Sequence, residues 1–184
     1  MFWKGRLVRR WILALMLFLV AGTAKAQFGI RPVTSGLRNE LGLGLSYGIK
    51  LDKDAWFWGY APDYVRVLSD KWLLNVSLAY DKDTETQDSG KSVTETWTPA
   101  VMIGYQLGPR IAAGAGFGHG VFENKNGAGW KSVKLGKDLT AAVAFAVSLW
   151  SKGRHGLSLS VSLEYNISDS QPSVSTDLGY AWGF

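Results

Sequence analysis

His119 and His155 are the two histidines of this 184-residue sequence, and it contains no cysteine. Imidazole is the side chain that exchanges protons near neutral pH, so any acid–base chemistry has to be sought around these two positions. An acyl-transfer site needs a hydroxyl within reach of the imidazole and an acid to orient the ring. Residues two apart on an extended strand share a face, but the residue two positions beyond His119 is Val121. His155 lies in the stretch Ser151–Gly156 beside Arg154. Asp88-Ser89, in a polar stretch expected to neighbour His119, is the remaining partner, and such pairs are common by chance. Flanked by Phe117 and Val121, His119 reads first as an amphipathic side chain whose polar tip reaches out of an apolar band. The acids of DKDTETQD, Asp81–Asp88, have no metal-ligand spacing and read as a solvated loop that divalent ions visit at most. These residues lead us to expect no catalytic residue, no metal site and no cofactor.

The elements that would carry such residues begin after a leader. Lys4, Arg6, Arg9 and Arg10 precede the apolar run Trp11–Gly22, and Ala24-Lys25-Ala26 follows with small residues at the positions a signal peptidase reads. The run is shorter than the roughly 20 residues of a spanning helix. Residues 1–26 are therefore expected to be a cleaved signal peptide, with Gln27 the first residue of the mature chain. Five of the 20 Lys and Arg residues lie in this leader, which leaves 15 against the 15 Asp and Glu. The net charge of +5 belongs to export, and no nucleic-acid partner is expected.

From Leu41 onward the chain alternates. Leu41, Leu43, Leu45, Tyr47, Ile49 and Leu51 oppose Gly42, Gly44, Ser46, Gly48 and Lys50, and Leu157 to Ile167 oppose Ser158 to Ser168 in the same way. A period of two over such lengths means strand. Eight strands are predicted, at about 38–51, 56–68, 71–82, 94–107, 110–122, 131–150, 156–168 and 172–184. Pro62 is expected to mark a bulge in the second strand where the in/out phase slips.

The alternating faces are large and apolar on one side, small and weakly charged on the other. A soluble sheet would show Lys, Glu and Asp on its outer side, and here the polar set is too small for that. Aromatic residues gather near the predicted strand ends (Trp56, Trp58, Trp72, Tyr80, Trp97, Tyr105, Trp150, Tyr165, Trp182 and Phe184), as in interfacial girdles. Short connections alternate with longer polar ones at 83–93 and 123–130. Without a spanning helix, a membrane protein has to close its sheet, because lipid pairs no backbone polar group. The fold class expected is an all-β, antiparallel, transmembrane up-and-down barrel over residues 38–184, preceded by a segment at 27–37 that lies at the periplasmic mouth or plugs it.

The last strand alternates Val174, Thr176, Leu178, Tyr180, Trp182 and Phe184 with small residues, and the sequence stops on Phe184. This resembles the C-terminal signal of outer-membrane proteins, and the whole mature chain resembles the small eight-stranded barrels of OmpA/OmpX type. The resemblance implies an outer-membrane location reached through the periplasm and contact with outer-membrane lipid and lipopolysaccharide. It also implies that the barrel-assembly machinery recognises Tyr180, Trp182 and Phe184. Some barrels of this kind modify lipid A, but the His/Ser pair two apart that the deacylase type uses is missing at Val121. The roles left are structural, surface-interacting, or a porin-like channel for small solutes, with lipid or acyl-chain binding as the alternative.

By alternation Glu40, Lys50, Arg66, Glu164 and Asp177 turn into the lumen. They stand among Gly114, Gly116, Gly118, Ala142, Ala144, Ala146, Ser173, Ser175 and similar small residues. Eight strands enclose a space that side chains just fill, so these strands should leave it under-filled. Water with paired charges, a plug formed by Gln27–Leu37, or an entering acyl chain would each complete it.

Overall fold

The computed structural model of this chain describes residues 30–33, 37–52, 55–87, 90–134 and 137–184. The predicted signal peptide and Asp88-Ser89 lie outside the described residues.

Alternation yields strands throughout: β1 Asn39–Lys50, β2 Ala55–Val67, β3 Trp72–Gln87, β4 Gly90–Gly108 and β5 Ile111–His119. A short ribbon follows, β6 Phe122–Lys125 and β7 Lys131–Ser132, and then β8 Leu139–Lys152, β9 His155–Asn166 and β10 Gln171–Gly183. Eight of them pair antiparallel in the order β3-β2-β1-β10-β9-β8-β5-β4, and β3 pairs with β4 to complete the ring. First and last strands meet in unbroken register from Glu40↔Gly183 to Lys50↔Ser173. Closure leaves no unpaired edge strand in the eight-stranded ring among the described residues, the condition for a sheet surrounded by lipid. β6 continues the line of β5 above an offset at Gly120-Val121 and pairs with β4 from Trp97↔Phe122 to Thr94↔Lys125.

The two faces are inverted relative to a soluble protein. Leu41, Leu43, Leu45, Val76, Leu78, Val101, Ile103, Val143, Phe145, Leu163 and Leu178 point outward and are exposed, whereas serines, threonines and carboxylates are buried inside. An apolar surface on this scale is far beyond what a soluble monomer shows. Aromatic pairs ring both edges of the band. Tyr60–Tyr80 and Tyr80–Trp97, each with ring centroids 5.2 Å apart, lie toward the loop end. Trp72–Tyr105 at 5.1 Å and Trp182–Phe184 at 5.6 Å lie toward the opposite end, where β1 begins and β10 finishes. Amphipathic rings settle at such boundaries.

Three expectations need correction. Pro62 shifts no phase: the β1–β2 register runs unbroken through Leu43↔Pro62, and β2–β3 resumes the same register on either side. Its ring points outward, and β2–β3 pairing lapses only at Ala61 and Pro62, so the missing N–H costs a ladder bond toward β3. Residues 83–87 and 90–93 are strand and not loop, because β3 and β4 stay paired up to Gln87↔Gly90. Thr84, Thr86, Val93, Thr94 and Thr96 are β-branched and suit a strand that has left the membrane and needs no apolar face. Residues 123–130 begin as β6 and reverse at Asn126-Gly127. Both of these residues have positive φ (51° and 72°), and Ala128 N–H donates to the Lys125 carbonyl at 3.0 Å. That is the mirror-image turn whose twist matches antiparallel strands.

Candidate functional site

The lumen is where the fold gathers its polar side chains. Its half nearer the termini contains the segment Ile30–Val33. Ile30 is fully buried against Ala100, Met102, Ala142, Ala144 and Ala146, and Val33 packs on the cluster of Val65, Leu73 and Ala112. The wall accepts this segment because it is glycine where the segment passes. A Cβ on Gly104 would stand 1.8 Å from Ile30 Cδ1, and one on Gly42 would stand 1.7 Å from Arg31 Nη1.

Arg31 anchors the segment. Its Nη2 donates to Asp63 Oδ1 at 2.6 Å and Oδ2 at 2.7 Å, and its Nη1 donates to the Tyr180 carbonyl at 2.8 Å. Asn75 Nδ2 donates to Asp63 Oδ2 at 3.0 Å, and Gln106 Nε2 holds the Val33 carbonyl at 3.1 Å. Arg31 is 4% exposed. A buried ion pair of this kind persists because both Asp63 oxygens and both terminal nitrogens of Arg31 are bonded, although Arg31 Nε is left without a hydrogen-bond partner. The gap beside Arg31, lined by Asp63, Ser77, Ser160 and Asp177, measures about 20 Å³, and a second beside Pro32 and Glu40 measures about 10 Å³. The first is room for one water and the second for barely one.

Toward the loop end the wall fills itself. Phe57 lies over Gly48, whose Cβ would be 2.4 Å from the ring, and Lys50 forms a buried ion pair with Asp83. At mid-depth Glu164 accepts from Ser162 at 3.0 Å and Ser175 at 2.8 Å, and Asp177, which also borders the gap beside Arg31, accepts from Ser160 at 3.1 Å. Each of these two acids is 3% exposed. Above them the lumen opens into a vestibule of about 220 Å³ lined by Lys50, Asp83, Glu85, Glu123, Lys125 and Asp169, among others.

Of the five lumen charges expected, Glu40, Lys50, Glu164 and Asp177 are buried on the inner side, and Lys50 meets an acid of β3. Arg66 is a correction: it is exposed on the outer face of β2, opposite Asn39. The slip assumed at Pro62 had turned it inward. Sequence reading missed Arg31, Asp63, Asn75 and Asp83. Arg31 precedes the first strand, and the same supposed slip hid Asp63. Asp83 had been placed in a loop.

Tyr180 and Trp182 lie on the outer face of β10, exposed, against β1, and Phe184 follows the strand, also exposed, with its N–H donating to the Asn39 carbonyl at 2.9 Å. The Tyr180 hydroxyl is 2.6 Å from His155 Nδ1, and the two rings stack. His155 opens β9 at the terminal end, because the turn is Gly153-Arg154 alone. His119 is half-buried at the loop end of β5. Among the described residues no group of three or more His, Asp and Glu converges as metal ligands would.

The closed ring, polar interior and apolar outer wall define a small eight-stranded transmembrane β-barrel. No known family model matches the sequence, and no curated protein matches it. Among solved structures the chain is similar to Ail, the attachment invasion locus protein of Yersinia pestis. Identity is 12% and the TM-score 0.49, over 79% of this chain and 95% of that one. It is also similar to the outer membrane protein OprG of Pseudomonas aeruginosa (12%, TM-score 0.47, 85% and 100%). The N-terminal barrel of OprF from the same organism is a third (12%, TM-score 0.40, 79% and 99%). The class rests on the chain's own geometry and not on these likenesses.

Proposed function

We propose that this protein is an integral barrel of the bacterial outer membrane with a sealed lumen, and that it works at the cell surface instead of conducting solutes. The observation that carries this reading is the Arg31–Asp63 anchor, which holds Ile30–Val33 across the lumen with gaps no wider than a water beside it. The same filling argues against an acyl chain inside the barrel. Beyond the aromatic belt, β3 and β4 continue with β6 as a paired ribbon. On its outer side Lys82 Nζ meets Glu95 Oε1 at 3.1 Å, and Asn124 donates to Glu95 Oε2 at 3.0 Å. Seven residues past Tyr80, at roughly 3.3 Å each, carry this ribbon on the order of 20 Å along the strand. It is a rigid platform for contacts with lipopolysaccharide headgroups or other surfaces.

Export by the 1–26 leader and recognition of Tyr180, Trp182 and Phe184 by the assembly machinery complete the reading. Val121 at the position a serine would occupy speaks against lipid A deacylation. Planar-bilayer recording of the purified barrel should be silent, with Arg31→Ala giving openings. Stable openings of the unaltered protein would overturn the sealed state. Fractionation with the outer membrane, together with heat-modifiable gel mobility, tests the location.

A further inference from the structure

The short turns 68–71, Pro109-Arg110 and Gly153-Arg154 lie at the end where β1 begins and β10 finishes. In outer-membrane barrels such turns face the periplasm. Six exposed cationic side chains stand around this rim. Arg38 precedes β1, Arg66 lies on the outer face of β2, Lys71 and Arg110 belong to turns, Lys152 ends β8 and Arg154 follows it. Among the described residues their one exposed acidic neighbour is Asp70. In the order of the ring these cations pass from β1 through β2, β3, β5 and β8 to β9, so the charge encircles the mouth. Residue type is segregated too. Every arginine among the described residues is in this half of the barrel, Arg31 in the lumen and four on the rim. At the loop end the described cations are all lysines, interleaved with Asp52, Glu85, Glu95, Glu123 and Asp169. A guanidinium fork matches phosphate oxygens two at a time, whereas an ammonium meets them as a point charge.

The depth of these side chains fits lipid headgroups. Lys71 Nζ lies 5.7 Å from the centre of the Tyr105 ring, which packs on Trp72. Lys152 shares the outer face with Trp150, two residues away, and His155 beside Arg154 pairs with Trp182. Aromatic rings mark the membrane boundary, and a residue or two beyond them is roughly 3–7 Å along the strand. The backbone holds the ring of charge in place. Val67 N–H donates to the Arg38 carbonyl at 2.8 Å, Gln106 N–H to that of Lys71 at 2.7 Å, Ser148 N–H to that of Arg110 at 2.8 Å and Gly183 N–H to that of Arg154 at 2.7 Å. Groups fixed in this way lose less freedom on binding. Resting on the outer-membrane reading above, we propose that this rim binds the phosphate groups of anionic phospholipids in the periplasmic leaflet. The turns are too short to carry the cations away from the interface, where lipid phosphate is the anion within reach. Each Lys or Arg at such a surface strengthens its attraction by about fivefold.

The test inserts the full mature chain into phosphatidylcholine vesicles and measures how much spin-labelled lipid the protein immobilises. Labelled phosphatidylglycerol should be favoured over labelled phosphatidylcholine by about fivefold or more. About 1 M NaCl, which shortens the Debye length to roughly 3 Å, should largely remove that preference. Arg66→Gln, Arg110→Gln and Arg154→Gln together should lower it to about twofold or less. Lys91→Gln, Lys131→Gln and Lys134→Gln at the loop end should retain most of it. All six positions are exposed, and heat-modifiable gel mobility checks that each triple variant is folded. Equal association of the two lipids with an inserted barrel would overturn the proposal and leave the membrane reading standing. So would a preference that the loop-end variant loses and the rim variant keeps. Binding to peptidoglycan sacculi that needs the three arginines, without any lipid preference, would assign the rim to the cell wall and equally overturn it. A chain that does not enter vesicles at all would overturn the membrane reading and this proposal with it.

Discussion

In the half of the lumen near the termini, the wall strands present Gly42, Gly104, Gly114 and Gly179, and the space is filled by Ile30, Arg31 and Pro32 from outside the sheet. In the half near the loops, Phe57, Lys50 and Asp83 come from the wall itself, and the space widens into an acidic vestibule. The first half is closed by a segment that an anchor holds in place, the second by side chains that cannot leave without unfolding a strand. A small-residue lining is therefore no sign of an empty barrel: at the terminal end it is the imprint of the chain's own N-terminal segment. Arg31 also shows how a charge is tolerated there. It brings its own acid, an asparagine and a backbone carbonyl into one network.

The contrast is broken most severely by filling the seat. Gly104→Leu puts a branched side chain where Ile30 Cδ1 already sits, and over-packing of this kind costs about 1–3 kcal/mol or more. Loss of heat-resistant gel mobility and new protease sensitivity before residue 38 should report an expelled segment. An unaltered digestion pattern would mean that the seat tolerates both.

Removing the anchor comes next. Arg31→Met leaves Asp63 buried without its cation, which costs about 3–5 kcal/mol. Adding Asp63→Asn should recover much of that loss in urea unfolding. A double variant as weak as the sum of its singles would show that the pair is not coupled.

At the loop end the matching change should be milder. Lys50→Met strands Asp83, which is as buried as Asp63, but both Lys50 and Asp83 border the vestibule, so water can take the place of the lost ammonium and a cost of about 1–3 kcal/mol is expected. A loss as large as that for Arg31 would erase the distinction between the halves. Ser162→Ala should cost least, about 1 kcal/mol for the hydrogen bonding its hydroxyl shares with Glu164 and Ser175, with gel mobility unchanged.

Much of this architecture is legible in the alternation itself. Every lumen position read from β8, β9 and β10 is on the inner side, from Thr140 to Ser148 and from Ser173 to Ala181. These strands have no proline within their alternating cores, and their two faces differ sharply in size. β2 misled because Pro62 was expected to shift the phase, which put Arg66 inside and hid Asp63. The stretch 83–93 misled because charge and threonine resemble a loop once the apolar outer face is no longer required. Neither error concerns strand propensity. Both concern where the membrane ends and which neighbour a backbone N–H faces.

The sequence by itself determined the membrane-spanning strands, their inner and outer faces except in β2 beyond Pro62, and the solvent around them, because side chains alternate with a period of two and an apolar outer face needs lipid. Only the tertiary structure decided what occupies the lumen. Arg31 and Asp63 are 32 residues apart, and no local period relates them. They meet because closure of β1 on β10 folds the wall around a segment that arrives from outside it, and the glycines that admit that segment carry no sign of which side chain they were spared for.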